Sequence, residues 1–96
     1  MALTFEWDEA KDHLNHQKHG VGFDEAKSVF NDPRSLTIHD AAHSDEEERF
    51  IDIGTSARGR VLVVSYTDRE ANIRIISCRK ATKFERKTYE QNAQEN

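Results

Sequence analysis

Val61-Leu62-Val63-Val64-Ser65-Tyr66 carries apolar side chains on both faces of an extended chain, so it predicts a strand lying centrally in a sheet. The turn Asp68 to Asn72 leads on into Ile73-Arg74-Ile75-Ile76-Ser77-Cys78-Arg79, a second strand. Upstream, Arg49-Phe50-Ile51-Asp52-Ile53-Gly54 is a third, joined through the hairpin-sized turn Ala57-Arg58-Gly59. Short turns make these three an antiparallel meander, because a parallel pairing needs a crossover of about a dozen residues. Ser35-Leu36-Thr37-Ile38-His39 shares the period of two and adds a strand before the polar loop Asp40 to Glu48.

Helices flank this sheet. Leu3-Thr4-Phe5-Glu6-Trp7 alternates as a short half-buried strand, and Asp8 then caps a helix with Ala10, Leu14 and Lys18 at helical spacing. His19-Gly20 ends it, glycine supplying the left-handed cap. Phe23, Ala26, Val29 and Phe30 mark a second helix, stopped by Asn31-Asp32-Pro33. Thr82-Lys83-Phe84-Glu85 has the capping-box form and opens a last helix carrying Phe84 and Tyr89, with residues 91–96 a frayed polar tail. The order β-α-α-β-β-β-β-α predicts one α+β domain over residues 1–96, an antiparallel sheet with helices packed on one face.

Composition narrows the function. The 96 residues are 35% hydrophobic and 33% charged, and the mean hydropathy is −0.88, so no stretch approaches a membrane span. The first residues have neither a basic nor an apolar leader pattern, and the lone Cys78 excludes an internal disulfide; both suit a reducing cytoplasm. The net charge of −4 is unevenly spread: residues 1–48 carry 4 basic and 12 acidic side chains, residues 49–96 carry 10 and 6. Nine of the cations lie within 58–88, which places a basic face in the C-terminal part unless folding mixes the halves.

His13, His16 and His19 share the first helix at spacings of three, but the first and last lie about 240° apart around it, so they do not converge as metal ligands. Asp45-Glu46-Glu47-Glu48 reads as a solvated loop, and Cys78, in an apolar strand, as structural. The informative segment is Arg74 to Tyr89. Strict alternation puts Arg74, Ile76, Cys78 and Lys80 on one face and Ile73, Ile75, Ser77 and Arg79 on the other, and the next helix adds Lys83, Arg86 and Lys87. Concentrated cations suit phosphate, because a guanidinium both orients it and stabilises the extra charge of a phosphorane. Glu85 has a capping use with Thr82, and a plain ion pair with Arg79 is the structural alternative to a role for that arginine.

Phe5-Glu6-Trp7-Asp8-Glu9-x-Lys11 and Asn15-x-x-Lys18-His19-Gly20-Val21-x-Phe23-x-Glu25-Ala26 resemble the opening of the BrnT toxins. Phe30-x-Asp32-Pro33, His43-Ser44, Glu47-Glu48-Arg49, Ile53-Gly54 and Gly59-Arg60-Val61-Leu62-Val63-Val64 follow in the same order. The closing Ile73-Arg74-Ile75-Ile76-Ser77-x-Arg79-Lys80-Ala81-Thr82-x-x-Glu85-Arg86-x-x-Tyr89 completes a resemblance over nearly residues 3–90. It implies a small bacterial type II toxin, RelE-like in fold, that cuts RNA and arrests translation. The implied partner is a BrnA-type ribbon-helix-helix antitoxin, through which alone operator DNA would be reached. RelE-like ribonucleases work largely with basic residues, without metal or cofactor, on the RNA's own 2′-hydroxyl. By that analogy Arg60, Arg74 and Arg79 stabilise the phosphate, and His19, Lys18 or Glu9 accept or donate the proton. Lys18, Lys80, Lys83 and Arg86 then bind the RNA backbone. The alternative is a non-catalytic module whose basic face grips RNA or only the antitoxin.

Overall fold

Residues 3–95 are described by the structure, a computed structural model. Its strands are β1 (Thr4–Glu6), β2 (Leu36–His39), β3 (Arg49–Thr55), β4 (Val61–Arg69) and β5 (Asn72–Lys80). They form one sheet in the order β1-β5-β4-β3-β2, so β4, which begins with the doubly apolar run, is the central strand. Consecutive strands from β2 to β5 pair antiparallel, as their short connections require. β1 pairs parallel to β5, with Phe5 opposite Ile73, and the sheet is therefore mixed rather than antiparallel throughout. Tight turns constrain only strands adjacent in sequence. The long connection leaving β1 lets it reach the far edge in either sense.

The helices are α1 (Glu9–His19), α2 (Phe23–Ser28), which continues as a 3-10 turn over Val29–Asn31, and α3 (Lys83–Glu95). α1 and α2 cover one face of the sheet, where Val21, Phe23, Ala26 and Val29 pack on Leu62, Val64, Tyr66, Ile75 and Cys78. α3 lies on the other face, where Tyr89 packs with Ile53 and Val63. The expectation of helices on one face only is corrected here. Because β4 is apolar at both Leu62 and Val63, each face needed its own cover. α3 keeps helical backbone to Glu95, through most of the stretch read as a frayed tail. No helix among the described residues is long and apolar enough to cross a membrane.

β5 breaks the expected alternation. Ser65 faces Ser77 while Tyr66 faces Ile75, so Ile76 is an extra residue bulged out of the ladder. Ile73, Ile75, Cys78 and Lys80 consequently share the α1–α2 face, and Arg74, Ser77 and Arg79 share the α3 face. Strict alternation from the sequence had exchanged everything after the bulge.

α1 contributes a polar residue to the core. Leu14 is 62% exposed, whereas Asn15 is buried. The Asn15 amide donates to the carbonyls of Val21 (2.9 Å) and Cys78 (2.8 Å), and its oxygen accepts from the Cys78 amide N–H (3.2 Å). One side chain thus ties α1, the α1–α2 loop and β5 together. The Cys78 thiol beside it is pushed up to about 12 by burial, which keeps it protonated and inert.

The two-residue turn between β4 and β5 places Glu70 at φ 52° and Ala71 at φ 73°. That left-handed backbone costs a residue bearing Cβ roughly 1–2 kcal/mol. Ala71→Gly is therefore expected to raise stability by about 1 kcal/mol once the greater freedom of unfolded glycine is deducted. Urea unfolding of the two proteins side by side checks this, and an unchanged or lower midpoint contradicts it.

Candidate functional site

Folding mixes the charged halves, and the mixing decides which cations are available. Arg60 reaches back to α2, its Nε donating to Glu25 (2.9 Å) and its Nη2 bonded to the other Glu25 oxygen. Arg58 stands 3.8 Å from the same carboxylate. Arg69 pairs with Glu47 (2.6 Å from Nη2) and Arg74 with Glu6 (3.6 Å). Arg79 makes a fork-to-fork pair with Glu85, 2.6 and 2.8 Å. Of the nine cations within 58–88, those left without a carboxylate partner among the described residues are Lys80, Lys83, Arg86 and Lys87. All four sit at the corner where β5 ends and α3 begins.

That corner is rigidly built. The Thr82 amide N–H donates to Glu85 (2.8 Å) while the Glu85 amide donates to the Thr82 hydroxyl (3.2 Å), so the predicted capping box forms. Glu85 serves both the cap and Arg79. The Arg79 guanidinium holds the Glu85 carboxyl down to about 2, with burial opposing and the Thr82 amide assisting. Since this folded value lies below the unfolded one near 4.5, the pair's contribution is full at neutral pH and is lost as pH falls through 4.5 towards 2. Glu85→Gln is expected to be less stable than the parent at pH 7, with the gap closing on acidification. Urea midpoints at intervals between about pH 7 and about pH 2.5 check this; a gap that stays constant denies the linkage.

Arg60, Lys80, Lys83 and Arg86 line one open cleft of about 290 Å³, floored by Val61, Ala81 and Thr82. The Arg60 guanidinium also donates to the carbonyl of Gly20, the cap of α1 (3.3 Å); Lys18, exposed, and His19, half-buried, precede that cap and do not line the cleft. Glu25 is the residue that holds Arg60 there, and its carboxyl is lowered chiefly by that guanidinium. Only its place two residues beyond Phe23 in the family-like run hinted at it.

Other expected site residues lie apart. Glu9 opens α1 and His19 ends it, about 15 Å away along the axis, so the two do not share one site. Arg74 is on the same sheet face as Arg79 but five residues back, about 16 Å along the strand. It lines a separate cleft with Lys11, Arg49 and Thr67, across from Asp45, Glu46 and Glu47. His13 and His16 edge a shallow hollow with Glu9 and Asp12, and among the described residues no three His, Cys, Asp or Glu side chains group as ligands for a metal.

Comparisons with known proteins address the chain as a whole. No curated protein matches the chain. Among solved structures, the 1.1 Å crystal structure of the Brucella abortus ribonuclease toxin BrnT matches with a TM-score of 0.64 and 20% identity, over 85% of this chain and all of that one. At that identity the likeness speaks for the fold. A sequence profile described as "Ribonuclease toxin, BrnT, of type II toxin-antitoxin system" matches residues 7–85, from Trp7 to the Glu85 that anchors the corner. The chain belongs to the BrnT family of ribonuclease toxins of type II toxin–antitoxin systems.

Proposed function

We propose that the protein is a cytoplasmic, metal-independent endoribonuclease of RelE-like type, which lays RNA across the β5–α3 corner and inhibits translation by cutting it. The supporting observation is the gathering of Lys80, Lys83, Arg86 and Lys87 at the β5–α3 corner, free of carboxylates among the described residues, with Arg60 in the same cleft as the first three and Arg79 outside its lining on the α3 face of the sheet, each arginine held by one carboxylate. Phosphates of the backbone lie over Lys80, Lys83 and Arg86 with Arg60 at the cleft wall. Arg79, oriented by Glu85, still has unused N–H groups on its half-exposed guanidinium and turns them to the scissile phosphate. The RNA's 2′-oxygen attacks the adjacent phosphorus as the bond to the 5′-oxygen breaks. The 2′-proton leaves to an acceptor and the 5′-oxygen takes one up, giving a 2′,3′-cyclic phosphate and a 5′-hydroxyl. The cations offset the charge that builds on the non-bridging oxygens between these states. His19 and Lys18, next to the Gly20 whose carbonyl Arg60 binds, are the nearer of the proposed proton carriers, and Glu9, at the other end of α1, is remote.

The test uses the purified protein and a labelled single-stranded RNA. Cleavage with and without EDTA is expected to be equal; loss of cleavage with chelator contradicts metal independence. Joint replacement of Lys80, Lys83 and Arg86 by alanine should flatten the dependence of log affinity on log salt by about 2, at roughly 0.7 for each single-strand phosphate no longer neutralised. An unchanged slope removes the corner as the RNA site. A second reading, a binding module without chemistry, is favoured by the same two carboxylates, since each partly neutralises an arginine meant for the phosphate. RNA bound with this salt dependence but never cut supports it. The antitoxin, proposed to be a BrnA-type ribbon-helix-helix protein, neutralises by covering this corner with an acidic or amphipathic segment, so its affinity should fall as salt rises.

A further inference from the structure

Phe84 is the one phenylalanine that the core does not use. Phe5, Phe23, Phe30 and Phe50 each pack edge-on or stacked against another aromatic ring. Phe84 is 69% exposed and, among the described residues, has no ring partner. Leaving so large an apolar surface in water forgoes burial that any core position would have gained. It does not sit in an apolar patch. It lines an open groove of about 490 Å³ with Lys83, Lys87, Thr88 and Gln91. Lys83 borders this groove and the cation cleft alike, so the two hollows adjoin across a single side chain.

An aromatic face flanked by cations fits a nucleobase better than a protein segment. A helical peptide seeks apolar anchors one and two turns along, but positions 87, 88 and 91 beyond Phe84 are Lys, Thr and Gln. A single-stranded nucleotide asks for one π-face and a neighbouring positive charge, which Phe84 and Lys83 supply together. The capping box fixes the first turn of α3, which holds the ring's attachment still and spares binding the entropy of ordering it. We propose that Phe84 is a stacking platform for one base of single-stranded RNA whose phosphates lie over Lys80, Lys83 and Arg86. The proposal rests on the reading of the corner as the RNA site, and it adds that the strand is gripped by a base as well as by its charge.

The experiment compares parent protein, Phe84→Ala, Phe84→Trp and the joint Lys80, Lys83 and Arg86 to alanine variant. Each binds a short single-stranded RNA and a matched oligomer with abasic sugars, followed by fluorescence anisotropy at several salt concentrations. Phe84→Ala is expected to weaken binding of the normal RNA roughly 5- to 100-fold, the scale of one stacked base, and to leave abasic binding and the salt slope unchanged. Phe84→Trp should restore or exceed parental binding. Thermal melting of both variants should match the parent, since the ring is exposed. Equal binding by Phe84→Ala, with the cation variant still impaired, overturns stacking while the cation site stands. If the cation variant also binds normally, the corner itself is wrong. Weakened capture of the antitoxin by Phe84→Ala, with RNA binding unaltered, assigns the ring to the protein partner and overturns the proposal as well.

Discussion

Arg79→Ala is expected to cut the rate of RNA cleavage 10²- to 10³-fold while the protein stays folded, the loss of about 3–4 kcal/mol typical of one transition-state donor. The residue reaches its place through geometry that alanine cannot reproduce. Both arms of the guanidinium are held by Glu85, whose own position is set by the α3 cap, so the remaining N–H groups point in a fixed direction. Arg79→Lys should rescue little, because an ammonium has no planar fork to be held. The protein survives the change because the Glu85 side chain, 26% exposed, can be rehydrated and keeps its cap with Thr82. Melting temperature and cleavage rate measured on one preparation separate this from a purely structural role. A lowered melting temperature with normal activity of the folded fraction would make Arg79 an anchor for α3 and nothing more.

Asn15→Ala is expected to be the most destabilising single change on α1, about 3 kcal/mol or more, because it strands three buried backbone groups at roughly 1–3 kcal/mol each with partial relief. In a domain whose whole stability is of order 5–15 kcal/mol, that shifts the melting temperature by roughly 12–24 °C. The neighbouring Leu14→Ala removes more apolar surface yet should change stability by less than about 0.5 kcal/mol, since that side chain is in solvent. Chemical unfolding of the two variants tests the contrast. Similar losses at both positions would mean that α1 is held by its apolar residue after all.

That contrast also marks where the sequence was readable. Strand positions, the cap at Asp8, the left-handed Gly20 and the box at Thr82–Glu85 follow from local chemistry and were plain in the residues. The face α1 buries was not, because hydropathy ranks Leu14 above Asn15, and only long-range carbonyl partners on Val21 and Cys78 make an amide worth burying. The same limit hid α3's side of the sheet and the parallel edge strand, both set by pairings distant along the chain. At the candidate site, the basic segment was legible as a count of charges. Which cations were spent on Glu6, Glu25, Glu47 and Glu85, and which stayed available, required the fold.

The extra residue at Ile76 separates the identity of a side chain from the space its backbone occupies. Removing Ile76 would leave every existing cross-strand pair from Ile73 to Lys80 in place, because the ladder already skips it. What would change is the coiling of β5, since a bulge adds right-handed twist at its own position and passes a rotation to everything beyond. Beyond lie Arg79, Lys80 and the start of α3. A chain shortened by that one residue should therefore fold with its pairings intact while aiming its cationic corner along a different bearing. In this protein a single peptide unit acts as a wedge, setting the direction in which the rest of the strand delivers its charge.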